Sequence, residues 1–188
     1  MTFDKKNKII IGLVGKIAAG KGTVAEYLQK KYDAHIYRFS SMLRDVLNRL
    51  HIPITRESMQ LLSTILRKNF GEDLLAKVIA SDVNNDPHKL IVVDGIRRLA
   101  DIKYLTQIDG FILVKIEADP KVRYERILKR NENEDDSKKT FEEFLADEKK
   151  EADAEIPRVM EKAKLSLNNN ENFDYLYKQI DKIIKSLN

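Results

Sequence analysis

The stretch Ile9-Ile10-Ile11-Gly12-Leu13-Val14-Gly15-Lys16-Ile17-Ala18-Ala19-Gly20-Lys21-Gly22-Thr23 decides how the rest of the chain is read. Its first six residues form a short apolar run rich in branched side chains, which reads as a buried strand. Gly15 and Gly20 then mark a tight turn, and a helical pattern opens at Lys21. This is the G-x-x-x-x-G-K spacing between a strand and a helix. In that context, backbone N–H groups and a helix N-terminus cradle phosphates, and the lysine bridges the terminal phosphates of a nucleotide. Gly15, Ala18, Ala19, Gly20, Lys21, Gly22 and Thr23 are therefore the expected nucleotide-binding residues. The hydroxyl lies on Thr23, one place later than the residue that holds Mg²⁺ in switch GTPases and many ATPases. The guanine-reading Asn-Lys-x-Asp signature is also absent, so a GTPase is not expected.

Outward from this stretch, short apolar runs alternate with helical patterns. Ile9–Val14, His35–Phe39, Leu90–Val93 and Phe111–Ile116 read as strands, with Leu165–Leu167 a weaker fifth. Helices are expected over Lys21–Tyr32, Ser41–Leu50, Arg56–Phe70, Glu72–Val83, Pro120–Arg130, Thr140–Glu151 and Phe173–Leu187. Asp119-Pro120 supplies an N-cap and a first-turn proline, and Thr140 with Glu143 forms a capping box. Strand and helix in alternation predict an α/β layer with a mainly parallel sheet.

Composition narrows the class. The chain has 188 residues, 43% hydrophobic, and a formal net charge of +4 from 34 basic and 30 acidic side chains. One domain with a filled core fits that length, and the charge is too balanced to point to nucleic acid. With no cysteine there is no disulfide framework and no thiolate metal site, which suits the cytoplasm. No apolar run approaches the roughly 20 residues of a membrane span. The Asn168–Asn170 run reads as a low-complexity patch. His35, His51 and His88 are scattered without ligand spacing and read as packing or surface residues.

The Gly20–Thr23 sequence Gly-Lys-Gly-Thr resembles the form found in adenylate kinases, and two further motifs extend the likeness. Phe39-Ser40-Ser41-Met42-Leu43-Arg44 is similar to the family segment that ends in Met-Leu-Arg, and Asp94-Gly95-Ile96-Arg97-Arg98 is similar to Asp-Gly-Phe-Pro-Arg. The chain thus resembles the P-loop nucleoside monophosphate kinases. The resemblance implies a five-stranded parallel sheet in the order 2-3-1-4-5, with helices on both faces, a helical acceptor-binding insert over residues 40–86 and a lid over 128–150. It also implies ATP and Mg²⁺, with Thr23 and Asp94 near the metal through water and Lys21, Arg98, Arg126 and Asp94 in catalysis. Arg44 and Arg98 would clamp the acceptor phosphate with Ser40 and Arg97 beside them; Arg97 and Arg98 both remain candidates for that contact. Ile102 stands where the family has the glutamine that reads adenine, so the likeness does not extend to adenine as acceptor.

Two helical stretches add detail. Arg56, Gln60, Ser63 and Arg67 are spaced by four, three and four, on one narrow stripe, with Met59, Leu62, Ile65 and Leu66 expected toward the core. That stripe resembles deoxynucleoside monophosphate kinases, and it equally fits a solvated face. Arg123, Arg126 and Arg130 share one face of the Pro120–Arg130 helix, where the lid of nucleotide kinases carries its arginines. A basic surface face gives the same spacing. Residues 131–139 would form the lid tip.

A monophosphate oxygen is ionised near neutral pH and needs no general base, whereas a sugar hydroxyl does. After the second strand this chain has Arg38-Phe39-Ser40-Ser41, where dephospho-coenzyme A kinases have Asp-x-Asp. A phosphate acceptor, a nucleoside monophosphate, is the favoured substrate. A related kinase with another small acceptor, and a nucleotide-dependent switch or nucleic-acid-associated ATPase, are the alternatives. Neither a nucleic-acid nor a membrane partner is expected, and oligomeric state is not legible.

Overall fold

The first strand, β1 (Ile9–Val14), occupies the middle of a five-stranded sheet whose order is β2-β3-β1-β4-β5. The computed structural model describes residues 8–130, 140–147 and 154–187. In chain order the described elements are β1, α1 (Lys21–Tyr32), β2 (His35–Arg38), α2 (Phe39–Arg49), α3 (Arg56–Phe70), α4 (Leu74–Asn85), β3 (Leu90–Asp94) and α5 (Leu99–Ile102). A short 3-10 turn, β4 (Phe111–Glu117), α6 (Pro120–Arg130), α7 (Phe141–Asp147), α8 (Ile156–Met160), β5 (Leu165–Asn168) and α9 (Phe173–Leu187) complete it. Every strand pairing is parallel. The expected α/β fold, strand order and helical flanks are as observed.

Strand alternation divides the core into two layers, because successive side chains leave opposite faces of the sheet. Ile10 and Val14 of β1, Ile91 and Val93 of β3 and Leu113 of β4 face α2, α4, α5 and α8. Ile11 and Leu13, Leu90 and Val92, and Val114 and Ile116 face α1 and α9. Both faces are buried, which is why these strands read as unbroken apolar runs.

Local signals account for the starts of α3, α7 and α6. Thr55 caps α3: its hydroxyl accepts from Ser58 N at 3.1 Å while Ser58 Oγ accepts from Thr55 N at 3.0 Å. At α7, Thr140 N donates to Glu143 Oε2 at 2.8 Å and Glu143 N donates to Thr140 Oγ1 at 3.2 Å, the expected capping box. Arg123 N donates to the Asp119 carbonyl at 3.0 Å, which makes Asp119 the cap of α6.

Several details differ from expectation. Phe39 begins α2 rather than ending β2: it is 6% exposed and packs into the same core layer as Leu43, so its apolar character serves a helix. The short helices α5 and α8 have too few residues to show a period. Ile65 of α3, expected toward the core, is 46% exposed. The Arg130 side chain and residues 131–139 and 148–153 lie outside the described residues, and with them most of the expected lid. Among the described residues no helix is long and apolar enough to cross a membrane.

Candidate nucleotide site

The loop between β1 and α1 is built by close approach. An added Cβ on Gly15 would lie 2.6 Å from the Ile116 carbonyl of β4, and one on Gly20 would overlap the Asn169 amide. Gly20 also has φ 102°, the left-handed region that favours glycine. Ala18 adopts φ 58° in the same turn, a conformation costing an L-residue about 1 kcal/mol. Ala19 N closes the turn on the Lys16 carbonyl at 3.1 Å.

The helix that follows lacks the usual N-terminal protection. Gly20 offers α1 no capping side chain, and its first turn carries no acid. The orphan N–H groups and positive end of the dipole thus open onto the loop, as an anion site requires. The Lys21 ammonium lies over the same loop, donating to the Gly15 carbonyl at 2.6 Å and the Lys16 carbonyl at 3.1 Å. Gly22 and Thr23 occupy the first turn of α1, both partly exposed.

Arg123 of α6 is fastened to this loop directly, and Arg126 through Asn169. Arg123 is 2% exposed; its Nε donates to the Ala118 carbonyl at 2.9 Å and Nη1 to the Ile17 carbonyl at 3.3 Å, with the Phe144 ring 5.3 Å from Cζ. Arg126 Nη2 donates to the Asn169 carbonyl at 2.8 Å. Asn169, only 3% exposed, donates its amide to the Ala19 carbonyl at 2.8 Å. Among the described residues Arg126 Nη1 is buried without a hydrogen-bond partner, and burial lowers the guanidinium pKa. Asn169 belongs to the run read as low complexity, and its role was missed there. The signal was its place directly after the last strand, at the same end of the sheet as the phosphate loop.

On the other side of β1, the carboxyl ends of β2 and β3 bring Arg38 and Asp94 into register, with Nε 3.5 Å from Oδ2. Asp94 Oδ1 accepts from Gly95 N at 2.7 Å. Arg38 was not among the expected site residues, although it closes β2 as Asp94 closes β3. In the turn that follows, Asp101, 1% exposed, accepts from the N–H groups of Arg97 and Arg98, each at 3.0 Å. The Arg98 guanidinium pairs with Glu72 at 2.9 Å, and Arg97 is exposed.

Arg67 departs from its expected stripe. It is 7% exposed, pairs with Asp101 at 2.9 Å and donates to the Glu72 carbonyl at 2.5 Å. The expectation of a direct substrate contact gives way to a buried clamp, because α3 packs its last turn against the Arg97–Asp101 turn. Arg56 and Gln60 stay exposed on α3, Arg44 is exposed on α2 and Ser40 is partly buried. Among the described residues Arg44 and Arg56 make no ion pair, so the structure does not draw them into the Arg98 cluster. The histidines also depart from expectation: His35 and His88 meet at the carboxylate of Asp86, far from this site.

The comparisons with known proteins agree with this architecture. The profile of an AAA-domain family matches residues 11–156. A UPF0200 protein of Pyrococcus abyssi is 30% identical over 184 residues, covering 95% of this chain and 97% of that protein. One of Methanocaldococcus jannaschii is 26% identical, covering 95% and 90%. Among solved structures, a shikimate kinase from Bacteroides thetaiotaomicron has a TM-score of 0.64 at 15% identity, covering 95% of this chain and 98% of that one. A gluconokinase from Sinorhizobium meliloti has a TM-score of 0.58 at 12% identity, covering 98% and 97%. At such identities the likeness is one of fold, a P-loop kinase-like fold. The chain belongs to the AAA-domain family and to the UPF0200 proteins.

Proposed function

We propose that this protein is an ATP-dependent phosphotransferase of the nucleoside monophosphate kinase type, moving the γ-phosphoryl group to a nucleoside or deoxynucleoside monophosphate. The observation that carries the reading is the convergence on one loop of an uncapped helix terminus, Lys21 and Arg123, with Arg126 held beside it through Asn169. All are donors at positions that suit a triphosphate, and among the described residues Arg126 keeps a buried, unpartnered N–H group that an anionic oxygen would satisfy.

In this reading Gly15–Thr23 bind the phosphates of ATP, and Arg44 and Arg98 take the acceptor phosphate with Ser40, Arg56, Gln60 and Arg97 around it. Arg67 is a positioning residue, acting through Asp101 on the Arg97–Arg98 turn. An acceptor oxygen forms a bond to the γ-phosphorus as the bond to the β-phosphate oxygen breaks, leaving ADP. The acceptor is already ionised, so positioning and charge neutralisation carry the rate and no base is needed. Thr23 and Asp94 offer one hydroxyl and one carboxylate, hard oxygen ligands of the kind Mg²⁺ takes alongside water. When bound, the ion neutralises phosphate charge. Lys21, Arg123 and Arg126 act on the same oxygens, and Arg38 orients the Asp94 carboxylate.

A second reading draws on Asp94 and on the shikimate kinase and gluconokinase among the fold neighbours. With a hydroxyl acceptor, the partly buried Asp94 carboxylate would serve as general base. A coupled assay of ADP release decides between them, using ATP and Mg²⁺ against nucleoside monophosphates and against hydroxyl acceptors including dephospho-coenzyme A. Turnover with a monophosphate, abolished by Lys21→Ala, is expected. Turnover only with hydroxyl acceptors selects the second reading, and no transfer to any acceptor overturns both.

A further inference from the structure

At the amino ends of the strands, away from the phosphate loop, the fold assembles three side chains that the sequence keeps far apart. His35 is the first residue of β2, Asp86 caps the C-terminus of α4, and His88 lies just before β3. His35 Nδ1 contacts Asp86 Oδ2, and His88 Nδ1 lies 2.7 Å from Asp86 Oδ1. One ligand atom from each of the three lies within 4.8 Å of the other two. From His88 to Asp94 the chain advances about 20 Å at strand rise, so this cluster and the candidate nucleotide site occupy opposite ends of the sheet.

The surroundings favour a cation here. The Asp86 side chain is 2% exposed, yet the two imidazoles are 42% and 43% exposed. The carboxylate is therefore buried while its histidine partners provide a path from solvent. Lys8 donates to the carbonyls of Val83, Asn84 and Asp86 at the end of α4 rather than to the Asp86 carboxylate. A buried carboxylate whose partners are imidazole rings and a phenol gains strongly from a dication. The supporting contacts are also in place: Tyr37 donates its hydroxyl to Asp86 Oδ2 at 2.8 Å, and His88 N donates to Oδ1 at 2.7 Å. Such partners orient a ligating carboxylate.

We propose that His35, Asp86 and His88 form a binding site for a transition-metal dication of borderline softness, of the Zn²⁺ or Co²⁺ class. Two imidazole nitrogens and one carboxylate oxygen make a three-ligand set that leaves a fourth, solvent-facing position in a tetrahedron. At metal–ligand bonds of about 2.0–2.2 Å, tetrahedral ligand atoms stand about 3.3 Å apart. The 2.7 Å contact of His88 with Asp86 opens by about 0.6 Å, and any pair of ligand atoms as far apart as 4.8 Å closes by about 1.5 Å, as the ion replaces the protons held between Nδ1 and the carboxylate. Mg²⁺, which prefers octahedral oxygen ligands, does not suit this set. An ion here joins the start of edge strand β2 to the end of α4 and the approach to β3.

The test is a Co²⁺ titration of the full chain carrying no polyhistidine tag, after chelator treatment, followed by visible absorption and by thermal melting. Wild type is expected to take up one equivalent with the d–d bands of a tetrahedral site, to melt higher with Co²⁺ or Zn²⁺, and to keep the bands in excess Mg²⁺. His35→Gln and His88→Gln should each weaken binding at least as much as losing a supporting contact does, about 10–100-fold, and together abolish the bands. Lys21→Ala should leave them unchanged. Absent bands in wild type, bands undiminished in the double variant, or bands displaced by Mg²⁺ would overturn the proposal. The single variants decide the matter if the double variant does not fold.

Discussion

Lys21 and Asn169 make different demands on the same loop. The lysine ammonium donates to the Gly15 and Lys16 carbonyls at the surface of the loop, so Lys21→Ala should leave the fold intact by circular dichroism. Turnover should fall about 100-fold or more, as when a transition-state donor is removed. Asn169 is a structural link: its amide reaches the Ala19 carbonyl and its own carbonyl receives Arg126. Asn169→Ala leaves the Ala19 carbonyl without that partner, at about 1–3 kcal/mol, while the main-chain carbonyl of residue 169 still accepts from Arg126. A lower melting temperature together with weaker ATP binding, read by thermal shift with and without nucleotide, is the expected result. Ala18→Gly sets relief of the left-handed alanine against greater backbone entropy in the unfolded chain. Those terms nearly cancel, so chemical denaturation should show a change below about 0.5 kcal/mol.

Among the elements, α3 and the turn before α5 form one unit through Arg67 and Asp101. Asp101 accepts from Arg67 and from two backbone N–H groups, so the two ends of the pair are not equivalent. Asp101→Ala strands all three donors and should cost about 3–5 kcal/mol. Arg67→Met keeps the two backbone donors on the carboxylate and fills the space, so urea denaturation should find it clearly milder. Equal costs would disprove that account. The same pair shows where sequence legibility ends. The phosphate loop, the strands and the Thr140 capping box were readable because their signals are local. Arg67 lay on a periodic stripe that suited a surface, and only its tertiary partner 34 positions later explains its burial. His35 and Asp86 are 51 positions apart, and no spacing rule joins them. Phe39 was misread because an apolar residue at the end of a strand and one at the start of a helix look alike.

Across the whole molecule, the first and last helices are tied together. Tyr27 of α1 stacks on Tyr177 of α9 with ring centres 3.9 Å apart, and Asp181 accepts from Tyr27, Tyr32 and Lys31. Partial burial pushes the Asp181 carboxyl up, but the bonds from Lys31, Tyr32 and Tyr27 outweigh it and leave the pKa below its ordinary value. A carboxyl depressed in the folded state stabilises above its unfolded pKa of about 4, and that contribution fades as pH falls toward the folded value. Melting temperature should therefore drop on acidification below about pH 4, and Asp181→Asn should flatten that part of the profile. Strand order was not legible from periodicity at all and came from the family likeness. Parallel strands joined by crossovers allow several orders, and local pattern does not choose among them.

The junction at Arg38 and Phe39 has a mechanical meaning. Strand β2 ends at Arg38 and helix α2 starts at the next residue, with Phe39 buried against Gly95. No linker separates the two, so any displacement of α2 passes directly to the backbone that presents Arg38 to Asp94. The edge strand and the helix are one continuous lever, and slack inserted between residues 38 and 39 would uncouple them while leaving each intact.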